Sequence, residues 1–137
     1  MSIPRNLSIS ASNVNSSGVL TVDGTNTVGF ISIPQNAQTG SYTLVLADAG
    51  KHIYHAAAAA VATYTIPANS SVAYPIGTAI SFINMSTNAV TIAITTDTLT
   101  LSNVAGSTGS RTLATYGTAT AVKITSTSWI ISGSNLT

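Results

Sequence analysis

The segment Ile80-Ser81-Phe82-Ile83-Asn84-Met85-Ser86-Thr87-Asn88-Ala89-Val90-Thr91-Ile92-Ala93-Ile94-Thr95 decides the fold class. Val90, Ile92 and Ile94 alternate with Thr91, Ala93 and Thr95, the period-two pattern of a strand with one buried face. Residues 80–85 form a second β-prone run. The polar break at 86–89 reads as the turn of a hairpin between them.

Working outward, the same pattern recurs. Tyr42, Leu44 and Leu46 alternate with Thr43 and Val45 up to the turn signal Asp48-Ala49-Gly50-Lys51. Short β-prone runs follow at 52–55, 60–66, 98–101, 112–113, 122–125 and 129–131, the last two as a hairpin turning near 126–128. Pro67-Ala68-Asn69-Ser70-Ser71 stops one strand, and residues 103–110 read as a loop. The chain has no Glu and no stretch of 3.6 periodicity. Short strands at regular spacing with turn signals between them predict an all-β, antiparallel β-sandwich of jelly-roll or Greek-key type. The five alanines at 56–60 stand apart. Alanine favours helix, but the run is too short to nucleate one, and Val61, Thr63 and Thr65 favour strand. A strand or strand edge is expected there, with a helical turn or loop as the alternative.

Residues 1–38 differ in composition. Asn, Ser and Gly dominate, and two β-prone runs at 19–22 and 28–33 flank Asp23-Gly24-Thr25-Asn26, a hairpin turn signal. Too few apolar residues lie here for a core. The expected organisation is an N-terminal arm over 1–38, held by a partner or sister chain, and a sandwich domain over 39–137.

Composition excludes several function classes. Of 137 residues 5% are charged, with a net charge of +1, against about 25% charged in an ordinary domain. Nineteen Ser and 22 Thr replace charge as the solubilising groups. No Lys/Arg cluster is present to bind nucleic acid. With no Cys, disulfide frameworks, Cys-based zinc sites and thiol catalysis are out. The longest apolar run, 56–62, is far short of the roughly 20 residues that span a bilayer. Residues 1–6 contain no apolar core of a secretory signal. A β-rich chain with so little charge lacks a main device that keeps β-proteins apart, so membership of an assembly is expected.

Candidate chemistry is sparse. His52 and His55 are three apart, so on a strand they point to opposite faces and cannot easily share a metal. Asp48, His52 and the many serines are the raw material of a hydrolase triad, but no Gly-x-Ser-x-Gly elbow is present. Three Asp in turn or strand-edge settings make a poor glycosidase pair, and Gly50-Lys51 lacks the upstream Gly of a phosphate loop. Tyr74 and Tyr116 are candidate sugar platforms, and Trp129 is expected in the core or at a strand edge. Thr96, Thr98 and Thr100 form one short threonine ladder. No cofactor or metal is expected, and no enzymatic activity.

The stretch Ser41-Tyr42-Thr43-Leu44-Val45-Leu46-Ala47-Asp48-Ala49-Gly50-Lys51 resembles a module of tailed-bacteriophage virion proteins, with its strand and Asp-x-Gly-Lys turn. Residues 64–78, the strand–Asn–strand segment, the Lys-bearing strand Ala121-Val122-Lys123-Ile124 and the closing Trp129-Ile130-Ile131-Ser132-Gly133 extend the likeness. It covers about 41–133 together with residues 1–8, which look like the start of small phage structural proteins. The alanine run at 56–60 departs from the more polar stretch expected there. The resemblance implies a non-enzymatic virion structural protein made in the host cytoplasm. The leading expectation is a head-decoration or cement protein on the capsid exterior, a homotrimer that bridges major capsid protein subunits. Ile3 and Leu7 would be apolar anchors of the arm, with Pro4, Arg5 and Asn6 beside them and Arg5 as its charge. Fibre and tail proteins use the same module, so the alternative is a tail-fibre or tail-tip domain that binds a host-surface glycan.

Overall fold

The computed structural model describes residues 21–22, 26–27, 32–103 and 105–137. They fall into two compact units, Met1–Ser32 and Ile33–Thr137. In the first, β1 (Thr21–Val22) pairs antiparallel with β2 (Asn26–Thr27). The arm residues Ile3, Pro4, Arg5, Asn6 and Leu7 lie outside the described residues.

The second unit is all-β. Its strands are β3 (Gln35–Gln38), β4 (Tyr42–Thr43), β5 (His52–His55), β6 (Ala62–Ile66), β7 (Ala79–Asn84), β8 (Val90–Ile94), β9 (Thr98–Leu101), β10 (Arg111–Thr125) and β11 (Ser128–Leu136). Only a 3-10 turn at Leu46–Asp48 interrupts them. The nine strands form one sheet, curled into a nearly closed barrel.

The pairing corrects the antiparallel expectation. β3, β5 and β7 are mutually parallel, and so are β4, β6 and β8. The chain therefore alternates between two branches, laying each strand beside the one two places earlier. Parallel neighbours need a crossover of a dozen or more residues. Here each crossover contains a strand of the opposite branch, so no helix is required. The inner faces of the branches meet: Tyr64 on β6 stacks on Phe82 on β7, with ring centroids 6.3 Å apart. Both belong to one core with Ile53, Ile66, Ile80, Ile92, Leu113, Trp129 and Ile131.

The 15-residue strand β10 joins the branches. Its first residues pair with β8, Arg111 to Ile92 and Leu113 to Val90. Its later residues pair with β7, Thr118 to Ile83 through Val122 to Ala79. The hairpin return β11 covers its other edge, and its first residues, Ser128 to Ile131, run parallel to β9.

The hairpin expected between residues 80–85 and 90–95 therefore does not form. β7 and β8 lie end to end along β10. Asn84 is the physical reason. Its Oδ1 accepts from the Ser86 N–H and hydroxyl, and its Nδ2 donates to the carbonyls of Asn88, Leu113 and Ala114. This buried side chain ends β7, shapes the turn, and ties it to β10 where the branches part. Between Leu113 and Thr118 the strand bulges. Tyr116 takes φ 55°. A Cβ on Gly117 would meet the Leu113 side chain at 2.6 Å and the Ala114 carbonyl at 2.8 Å, so only glycine fits.

The alanine run is likewise a correction. Residues 56–60 are not strand but a turn between β5 and β6, closed by the Ala59 N–H to the Ala56 carbonyl at 3.0 Å. The turn is tied by the Asn88 side chain donating to the Ala59 carbonyl. β3 lies within the stretch read as arm, yet it pairs with β5.

Candidate functional site

The features that could meet a partner lie at one end of the barrel. The loops 56–61 and 85–89, the bulge of β10 and the end of β11 converge there because polar groups knit them together. The Met85 N–H donates to the His55 carbonyl at 3.0 Å. Asn88 Nδ2 donates to the Ala59 carbonyl at 3.1 Å. The Thr115 hydroxyl donates to the Ser86 carbonyl, and Asn135 Nδ2 reaches the Thr115 carbonyl at 3.4 Å.

These bonds hold outward a set of apolar side chains. Val61 is 73% exposed, Tyr116 62% and Met85 40%, and Ala57, Ala58 and Ala60 are exposed beside them. Segments 56–61, 85–89 and 114–117 contain no charged residue. Single exposed apolar residues are ordinary, whereas contiguous apolar patches of several hundred Å² are characteristic of interaction surfaces in general.

Just inside this cap, His55 and Tyr64 form a buried pair. His55 Nδ1 and the Tyr64 hydroxyl are hydrogen-bonded, and the rings meet edge to face at 5.6 Å. Among the described residues, His55 Nε2 has no hydrogen-bond partner. Burial pushes the Tyr64 phenol up to about 12. It pushes the His55 imidazole below its usual range, against a smaller opposite pull from the Ala60 backbone.

A second feature lies on the outer face of β5, β7, β10 and β11. An open groove of about 410 Å³ is lined by Ile33, His52, Ser81, Ile83, Thr118, Thr120 and Ser132, with Phe82, Ala119 and Gly133 as its floor. Cross-strand register explains the lining. Gln35 pairs with His52, His52 with Ser81, Ser81 with Thr120 and Thr120 with Ser132, all on one face. Ser81 Oγ and Thr120 Oγ1 are hydrogen-bonded at 2.9 Å. His52 Nδ1 lies 3.2 Å from the Ile33 carbonyl, which can only accept, so this nitrogen carries the proton. Nε2 then accepts from Gln35 Nε2 at 3.1 Å. Tyr54 flanks Ile83 in the adjoining row.

The other candidates from the sequence are placed as follows. Asp48 is buried and accepts from Asn36 Nδ2, the Tyr42 hydroxyl and the Val45 N–H. It makes no hydrogen bond to His52. Burial, with the bond and charge of Asp48, raises the Tyr42 phenol. Tyr74 is no sugar platform: it is 3% exposed, donates to the Val45 carbonyl and packs edge to face on the buried Trp129 at 5.5 Å. Burial, and after it the charge of Asp48, raises the Tyr74 phenol. Trp129 lies in the core. Tyr116 is the expected platform residue that is exposed. Thr98 and Thr100 sit on β9, whereas Thr96 precedes it. Among the described residues no three His, Asp, Glu or Cys side chains gather as a metal site, and no helix is long and apolar enough to cross a membrane.

Sequence reasoning missed the cap. Its members come from three separate segments, and only the parallel winding brings them together. A usable signal was the departure at 56–60, where alanines stand in place of expected polar residues. No known protein family and no curated protein matches the chain.

Proposed function

We propose that this chain is a non-enzymatic structural protein of a phage virion, a decoration or cement protein on the capsid exterior. The observation that carries the reading is the rigid, charge-free cap of Ala57, Ala58, Ala60, Val61, Met85 and Tyr116. An apolar surface fixed by backbone bonds loses little conformational freedom on docking. Without charge it carries no desolvation penalty of ionised groups at an interface. The cap would seat on a neighbouring subunit, either a sister chain in a trimer or the major capsid protein. Decoration then stabilises the shell by mass action, because the protein binds assembled subunits and not free ones. The residues at 1–8 that resemble the start of phage structural proteins would serve as the anchoring arm.

Occupancy on particles lacking the protein, measured with the native chain and with Tyr116→Asp, tests this. Loss of binding by a variant that still folds is expected. Equal occupancy would remove the cap from the account.

The tail-fibre alternative has its own support. The hydroxyl-lined groove beside Tyr54 and the exposed Tyr116 are the surfaces a neutral glycan would use. Glycan-array binding that is lost on Thr120→Val would favour that reading over decoration.

A further inference from the structure

We propose that Lys123 and Asn69 become joined by an intramolecular isopeptide bond. Lys123 points inward from β10 and is 1% exposed. Its Nζ lies 2.6 Å from Asn69 Oδ1 and 5.7 Å from the centre of the Trp129 ring. As an ammonium it would be poorly satisfied: it has three donors, one hydrogen-bond acceptor and one ring face. Buried ammonium groups are usually paired with a carboxylate, and an unpaired one costs several kcal/mol. The described residues place no carboxylate in hydrogen-bond contact with Lys123. The arrangement fits a nucleophile held against its electrophile. The Asn69 carboxamide carbon lies only about 1.2 Å beyond the oxygen that Nζ already touches.

The Asp97 Oδ2 accepts the Asn69 backbone N–H at 3.0 Å, which fixes the backbone of the residue under attack. The Trp129 ring beside Nζ and the Tyr74 ring packed on it are buried, so the Lys123 amine lies away from bulk water. Exclusion of water favours the amine over hydrolysis as the attacking group.

The step balances without a co-reactant. The neutral Lys123 amine attacks Asn69 Cγ, forming the Nζ–Cγ bond. One proton passes from Nζ to Nδ2. The Cγ–Nδ2 bond breaks, and ammonia leaves. A secondary amide remains, uncharged, with one N–H and one carbonyl in place of a buried cation. It ties β10 to the loop after β6, closing a covalent loop across 54 positions of sequence. Long closed loops restrict the unfolded chain most.

Mass spectrometry of the purified full chain tests the proposal. The native protein is expected to be lighter than its sequence by one ammonia. After trypsin, Lys123 is expected to resist cleavage, and residues 52–111 and 112–137 are expected to appear as one branched peptide. Lys123→Met and Asn69→Ala are expected at full mass, without the branched species. Separate peptides 112–123 and 124–137 from folded native protein would overturn the proposal. That holds even if ammonia has been lost, because ring closure at Asn69-Ser70 loses the same ammonia but leaves Lys123 cleavable.

Discussion

Replacing Asn84 by alanine should destabilise the barrel far more than loss of one side-chain amide suggests. Asn84 is fully buried, and its five hydrogen bonds join three parts of the chain. Two bonds shape the turn at Ser86, one reaches the Asn88 carbonyl, and two reach β10 at Leu113 and Ala114. The alanine variant leaves the Ser86 N–H and the Leu113 carbonyl short of a partner in a site with little access to water. A buried polar group that loses its partner costs about 1–3 kcal/mol, so the two together should cost about 2–6 kcal/mol. Urea denaturation followed by Trp129 fluorescence would read this directly, because Trp129 is buried in the core. The midpoint should fall with little change in slope. Asn84→Asp should fall in the same direction, since a carboxylate cannot donate to the three carbonyls. A loss under about 1 kcal/mol in Asn84→Ala would refute the claim that this residue holds the branches apart and joins them to β10.

Three further outcomes are expected. Gly117→Ala should cost about 1–3 kcal/mol by overpacking, since the new Cβ has no space beside Leu113 and Ala114; an unchanged thermal midpoint would count against the bulge geometry. Acid should weaken the fold through His55. Its folded pKa is depressed while the unfolded imidazole titrates near 6.5, so the unfolded state binds more protons as pH falls below that value. The His55 contribution to stability is therefore full above about pH 6.5 and declines below it. Melting curves at pH 7.5 and 5.5 should differ more for the native chain than for His55→Gln, and equal pH dependence would contradict this. Tyr116→Asp should leave the melting temperature within a few degrees of native, because the side chain is 62% exposed; a large drop would mean that the ring supports the fold rather than a partner.

Much of the fold was legible because burial alternates along the central strands. Buried and half-buried residues take turns along β6 and β7 in step with the sequence. The closing hairpin was legible too, because Thr125 and Ser128 flank a short polar turn. Strand direction was not. A strand of five residues followed by a polar loop has the same appearance whether the chain returns beside it or crosses to another branch. The deciding residue, Asn84, looked like part of an ordinary turn. Its bonds to Leu113 and Ala114 span about thirty positions, and nothing local announces them. The alanines at 56–60 misled for a related reason: Asn88 holds that turn from outside, overriding local preference. The cap followed from the winding and was invisible until the branches were placed. Lys123 and Asn69 were each quoted in the family resemblance, yet their contact depends on β10 crossing both branches.

The most direct measurement is the copy number of this chain on purified virions, by quantitative mass spectrometry against the major capsid protein. The account predicts that the chain is present at a fixed ratio to the shell subunit, in hundreds of copies per particle. A count of a few to tens, or absence from the particle, would contradict it.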